Sequence, residues 1–158
     1  MPFFVRQRPY PLPMSFKFVD LFAGIGGFHA AMGALGGECV YASEWDKDAA
    51  RIYERNWGLK PKGDITLEAN DQVMNVPNHD VLLGGFPCQP FSIAGNGEGF
   101  NDKEKGNLFY NILNIIDAKQ PPMCILENVK NLKTHDNGKP YTTIETELKK
   151  RGYLITSK

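Results

Sequence analysis

The chain has 158 residues, 42% of them hydrophobic, and its 18 basic and 18 acidic side chains cancel. That is enough to bury a core as one domain, and no apolar run approaches the ~20 residues a membrane span needs. Neutral net charge argues against a self-sufficient nucleic-acid binder, whose surface would be broadly basic.

The opening stretch Met1–Met14 carries prolines and arginines but no continuous apolar block of the secretory type. It is expected to be a disordered extension over residues 1–14 of a cytoplasmic protein, with the folded domain over 15–158. Apolar runs then alternate with helix-period segments. Phe16–Phe22, Cys39–Glu44, Val81–Phe86 and Met123–Val129 read as buried strands; Phe28–Leu35, Lys47–Trp57, Leu108–Ala118 and Thr142–Arg151 read as helices. Thr66–Pro77 is expected to hold a short helix or turn. Gly152 is a C-cap after the last helix, and Tyr153–Thr156 begins another strand. This alternation predicts an α/β fold, a largely parallel sheet with helices on both faces. Pro90–Gly106 has no clear period and reads as a lid or binding loop. Because the pattern stops at a strand with no closing helix, the fold is expected to be incomplete at the C-terminus.

Asp20–Phe28 runs a strand through a glycine-rich turn into a helix, a geometry that lets backbone N–H groups approach a ligand. Glu44 ends the next strand about 20 residues on, where an acid typically meets ribose hydroxyls. His29 stands where a dinucleotide fingerprint has its third glycine, which favours a smaller nucleoside cofactor. Trp45 and Phe22 are placed to sandwich an adenine ring, and Asp64 and Ile65 to border the same pocket. The alternative is a tight turn followed by a solvated glutamate, with the aromatics serving as core.

The three cysteines, Cys39, Cys88 and Cys124, form no CxxC pair and suggest neither zinc nor a disulfide framework. Cys39 and Cys124 lie within apolar strands, where cysteine behaves as a small hydrophobe. Cys88 differs, because Pro87 and Pro90 hold it in a rigid turn at a strand's carboxyl end, the edge at which open α/β sheets bind ligands. If the first strand and the Cys88 strand are central neighbours, glycine turn and thiol face one crevice. Cys88 therefore reads as a nucleophile, against the alternative of a structural turn cysteine. Glu127 and Asn128 end the next strand at the same edge. Emerging from so apolar a run, Glu127 should be partly desolvated and suited to acid chemistry near neutral pH, or it caps the following turn. Lys103, Lys105, Lys130 and Lys133 are candidates for phosphate contacts or simply solvated. His29, His79 and His135 share no spacing that suggests a metal or a triad.

Taken in order, Asp20–Phe28, Glu44-Trp45, Gly63–Thr66, Gly85–Ser92, Gly106–Phe109 and Glu127–Val129 resemble the motifs of bacterial DNA cytosine-5 methyltransferases. The resemblance runs from about Phe16 to the C-terminus and implies a Rossmann-like S-adenosylmethionine-dependent methyltransferase fold. It implies that Phe22, Gly24 and Gly26 contact S-adenosyl-L-methionine, with Glu44 on its ribose and Trp45 against adenine. Asp64 would take the adenine amino group, and Ile65 and Leu108 would line the pocket. Cys88 would attack cytosine C6 and Glu127 hold the base at N3, with Pro87, Gln89, Ser92 and Asn128 as neighbouring loop and substrate contacts. The partner so implied is double-stranded DNA with one flipped cytosine, in a restriction-modification setting, with no metal and no membrane. The family's arginine-bearing motif, target-recognition domain and closing segment are not found after Thr156. A fragment, one subunit of a split enzyme needing a complementing C-terminal half, or a non-catalytic cofactor-binding remnant are thus the expected alternatives. A thiol enzyme acting on a small molecule is a further one, disfavoured by Glu44-Trp45 and the long loop after Cys88.

Overall fold

A computed structural model describes residues 3–6, 15–87 and 108–157. Six strands form one sheet in the order β3-β2-β4-β5-β1-β6. Its parallel part comprises β2 (Phe16–Leu21), β3 (Gly37–Ser43), β4 (Val81–Gly85) and β5 (Met123–Glu127). Val81, Leu82 and Leu83 are fully buried, as a strand covered on both faces requires. Burial of each such side chain contributes roughly 1.5–3 kcal/mol.

Helices cover the two faces unequally. On one side α1 (Gly27–Ala34) and α2 (Lys47–Trp57) lie over Phe18, Leu83 and Ala42, with Phe28, Met32 and Tyr53 turned inward. On the other, the short α3 (Ile65–Glu68), α4 (Leu108–Lys119) and α5 (Lys139–Lys150) pack Ile65, Phe109, Ile112, Ile144 and Leu148 against Val19, Leu21, Leu82 and Leu126. Local chemistry sets the helix ends. Asp46 caps α2 by accepting from the Asp48 and Ala49 amides at 3.0 and 2.8 Å, and Gly58 closes it with φ 69°. The α5 helix begins three residues before the expected Thr142, because Pro140 fits the first turn of a helix, where its missing N–H has no partner to lose.

Within the stretch 1–14 expected to be a disordered extension, the described residues 3–6 form β1 (Phe3–Arg6). This strand lies antiparallel between β5 and β6 (Tyr153–Thr156), with Phe4 opposite both Cys124 and Ile155. Its pairing is wholly tertiary, and four residues flanked by prolines carry no periodic signal of it. The Thr66–Pro77 expectation resolves into α3 and a bridge between Ala69 and Met74.

The feature that positions a site is the strand order. From β2 the chain moves outward to β3, then returns to the other side of β2 as β4. The carboxyl ends of β2 and β4 therefore splay at a topological switch point, where a crevice opens.

Candidate functional site

The crevice is an open cavity of about 510 Å³ lined by Phe22, Ser43, Glu44, Trp45, Gly63, Asp64, Ile65, Thr66, Gly85, Pro87 and Leu108. Residues from five segments of the chain meet there. Of the expected cofactor residues, Phe22, Glu44, Trp45, Asp64, Ile65 and Leu108 all reach it.

Phe22 follows β2 with φ 57°, a left-handed conformation that costs an aromatic residue of order 1–3 kcal/mol. Such strain persists where the surroundings impose it, here at the entrance to the glycine turn. Glu44 bridges this turn to β3. Its Oε2 accepts from the Gly24 N–H at 2.8 Å and its Oε1 from the Asp46 N–H at 2.9 Å, each oxygen keeping acceptor capacity toward the cavity. Gly24 thus belongs to the site through Glu44. Gly26 does not line the cavity. A Cβ there would strike the Trp57 indole, and φ 97° suits glycine alone. Its role is to let α1 pass close over α2.

Trp45 stands at the rim, 81% exposed, whereas Ile65 is buried and forms part of the floor. Asp64 caps α3, its Oδ1 accepting from the Thr66 amide at 2.9 Å and the Thr66 hydroxyl at 2.8 Å. An exposed aromatic face beside two carboxylates and an apolar floor suits a purine nucleoside with hydroxyl and amino donors.

Cys88, Gln89 and Ser92 lie outside the described residues, as do Lys103 and Lys105. What leads to Cys88 is described. Because β2 and β4 are neighbours, the strand ending in Phe86-Pro87 opens onto the same crevice as the glycine turn. Glu127 is paired with Gly85 across β5 and β4, and a Cβ on Gly85 would stand 3.4 Å from its Oε2. Its carboxylate is therefore half-buried beside the backbone that feeds the cysteine turn. Asn128 fastens that backbone, donating from Nδ2 to the Phe86 carbonyl at 2.8 Å while its Oδ1 accepts from the Val129 amide.

Burial pushes the Cys39 thiol up and the Cys124 thiol up to about 12, consistent with inert core cysteines. His79 is held by the Pro77 carbonyl at 2.8 Å. Lys133 reaches Ser157 at 3.1 Å and lies 5.4 Å from the Tyr141 ring centroid, so it is locally engaged, whereas Lys130 is exposed.

The cavity wall also includes Gly63, Thr66 and Gly85, which the motifs contained without a role being assigned to them, and Ser43, which sequence reasoning missed and only its adjacency to Glu44 would have found. Sequence reasoning also missed a polar cluster beneath the glycine turn. Asp20 has no exposed surface, and neither carboxylate oxygen completes a hydrogen bond of ordinary geometry. Desolvation pushes its carboxyl up to about 7, against the pull of the nearby His29 amide and Tyr53 hydroxyl. Tyr53 and His29 Nδ1 share a hydrogen bond of 2.7 Å. The signal available was an aspartate at an inward-facing position of a strand whose other charged residue, Lys17, is exposed.

A family model described as C-5 cytosine-specific DNA methylase matches residues 16–158. The chain is 52% identical over 144 residues to the Type II methyltransferase M.HaeII of Haemophilus aegyptius, covering 90% of this chain and 44% of that protein. It is 46% identical over 142 residues to the Type II methyltransferase M.HhaI of Haemophilus parahaemolyticus, covering 90% and 42%. It thus spans less than half the length of these relatives. Among solved structures, a DNMT2 variant from Spodoptera frugiperda superposes with a TM-score of 0.60 at 28% identity, covering 84% of this chain and 41% of that one. A TehB-like SAM-dependent methyltransferase from Corynebacterium glutamicum shares the fold alone, with a TM-score of 0.55 at 13% identity over 88% of this chain and 66% of that one.

Proposed function

This chain belongs to the C-5 cytosine-specific DNA methylase family, and on that premise we propose that it forms the cofactor-binding and reacting part of a DNA cytosine-5 methyltransferase of the restriction-modification type. The observation that carries this reading is the convergence of Phe22, Glu44, Trp45, Asp64, Ile65 and Leu108 on one crevice, beside the strand that leads to Cys88.

The cavity fits S-adenosylmethionine by its carboxylate acceptors and aromatic lining. Glu44 would accept from the ribose hydroxyls with the capacity left on its two oxygens, Asp64 would accept from the adenine amino group, and Trp45, Phe22 and Ile65 would line the place of the ring. When bound, the cofactor supplies a sulfonium methyl, an electrophile that needs a carbon nucleophile.

Cytosine C5 is too weak a nucleophile unaided. The Cys88 thiolate adds to C6, forming an S–C6 bond and moving the ring electrons toward C5. Glu127 holds the base at N3 and takes up the electron demand there by hydrogen bonding or proton donation. After C5 has been alkylated, loss of its proton returns electrons to the ring and expels the thiolate. These atoms are inaccessible in stacked DNA, so the base is flipped out, at a cost of a few kcal/mol. Asn128, through the Phe86 carbonyl, keeps the backbone before Cys88 aligned with Glu127.

The family resemblance assigns target recognition to a domain beyond the residues given, which span 44% and 42% of the two relatives. The second reading is a cofactor-binding module without catalysis of its own, or one subunit of a split methyltransferase that needs a partner chain. Among the described residues no helix is long and apolar enough to cross a membrane.

The test is a duplex carrying 5-fluorocytosine, S-adenosylmethionine and the complementing C-terminal region of M.HaeII. A covalent adduct with the wild-type chain and none with Cys88→Ser is expected. Cofactor binding without any adduct would replace the catalytic reading by the binding-module reading.

A further inference from the structure

The cluster beneath the glycine turn has no part in the scheme above. Asp20 is the penultimate residue of β2, two before Phe22, alternating with Val19 and Leu21 of the cavity-side core. It is paired with Ala42 of β3, on the face that α1 and α2 cover, near His29 and Tyr53. The titratable groups that face it are His29 on α1, Tyr53 on α2, Cys39 on β3 and Glu44 beyond β3. A fully buried carboxyl with no completed hydrogen bond is costly, and a core strand would ordinarily carry an apolar residue there.

Around it runs a continuous set of contacts into the turn. The Tyr53 hydroxyl meets His29 Nδ1 at 2.7 Å, and the His29 ring stacks on Trp57 with centroids 4.4 Å apart and planes at 14°. The Trp57 indole N–H then donates to the Ile25 carbonyl at 3.1 Å, inside the glycine turn itself. The same indole abuts Gly26.

We infer that Asp20 is a positioning residue for the cofactor turn: sealed between β2, α1 and α2, its carboxyl sets the turn through the Tyr53 hydroxyl, His29 and the Trp57 indole. The ionised carboxyl is acceptor-only, and both near donors, the His29 amide and the Tyr53 hydroxyl, favour that form. Ionisation therefore draws α1 and α2 toward β2, and protonation slackens them. Like charge on Glu44, which grips the Gly24 amide, opposes ionisation and links the two sides of the turn. The effect on binding rests on the cofactor reading above; the effect on the turn does not.

Trp57 is a built-in reporter, so its indole N–H resonance, assigned against Trp45, can be followed by NMR from about pH 5.5 to about pH 8.5. The wild-type signal is expected to titrate near neutrality, to stay flat in Asp20→Asn, and to titrate with reduced amplitude in His29→Gln, which interrupts the contact between Tyr53 and Trp57. Tyr53→Phe, which removes a donor favouring the ionised form, is expected to move the midpoint upward. A titration kept by Asp20→Asn, or one undiminished in His29→Gln, would overturn the inference.

S-adenosylmethionine affinity is measured in parallel. Wild type and Asp20→Asn should agree near pH 5.5, where both are neutral. The variant should bind about fivefold more weakly near pH 8.5, as loss of a charge-assisted hydrogen bond implies. Equal affinities at both pH values would also overturn it. Wild-type protein that binds no cofactor at any pH would sink the cofactor reading, while the Trp57 titration would still decide the role of Asp20 in the turn.

Discussion

At the scale of single residues, the site is built from carboxylates in opposed circumstances. Glu44 stabilises the turn by accepting two backbone amides, whereas Asp20 is sealed beneath it with neither oxygen completing a hydrogen bond. For Asp20 the linkage has a definite sign. Its ordinary value is 3.8 and its folded value about 7, so between these the folded chain holds a proton the unfolded chain has released. Its contribution to stability is fully present below the lower value and is lost as pH rises through the higher, at about 1.4 kcal/mol for each unit separating them. Asp20→Asn removes that dependence. The difference in melting temperature, variant minus wild type, should therefore become more positive from pH 5 to pH 8; a constant difference would count against a neutral buried carboxyl. Glu44→Ala strips an acceptor from the Gly24 and Asp46 amides and should cost about 1–2 kcal/mol in denaturant melts. Glu44→Gln, which keeps an acceptor, should cost less stability but still weaken cofactor binding. Glu44 was legible as a site residue because it stands at the end of an apolar run, and Asp64 through the Gly63–Thr66 motif of the family resemblance. Asp20 was not, because its environment is made by α1 and α2 folding over it.

At the scale of elements, two contacts decide how the helices lie. Gly26 lets α1 cross close to Trp57 at the end of α2. Gly26→Ala adds a methyl group against the indole at a positive φ and should destabilise the chain by roughly 1–3 kcal/mol. The Trp57 indole resonance should shift with it, since the same ring holds the Ile25 carbonyl. On the other face Arg151 staples α5 to α4. It forms paired bonds of 2.7 and 2.8 Å to Asp117 and one of 2.8 Å to Glu147, whose side chain is nearly buried. Arg151→Gln leaves Glu147 with Lys150 as its remaining ion-pair partner. A loss of about 1–3 kcal/mol is expected in urea melts, larger than an exposed pair would give. Helix and strand positions followed well from apolar periodicity. The start of α5 did not, since a proline in a first turn looks the same in sequence as a proline that stops a helix.

For the whole molecule, the β2–β4 junction is the organising feature, with the remaining strands extending the sheet outward from it. The edge region is held differently, with β6 hydrogen-bonded into the sheet through β1 and anchored by Tyr153, whose hydroxyl donates to the Pro121 carbonyl at 2.6 Å. Phe4→Pro removes a backbone donor from the middle of β1 and cannot sit between two partners. Hydrogen exchange should then show lost protection in β6 with protection retained in β2 and β4. Equal loss everywhere would mean the sheet unfolds as one unit, with β1 essential to it.

The sequence by itself determined the alternation of strands and helices, the glycine turn and the acid after β3. It also carried the motif order that gives the family, since each of these is written in local spacing or in residue type. Only the tertiary structure decided that β2 and β4 are neighbours, which turns separate motifs into one crevice. It alone placed Phe3–Arg6 inside the sheet and buried Asp20 beneath the turn. Strand order, a slot between two strands and the desolvation of a carboxyl arise from residues far apart in the chain, and no local pattern encodes them.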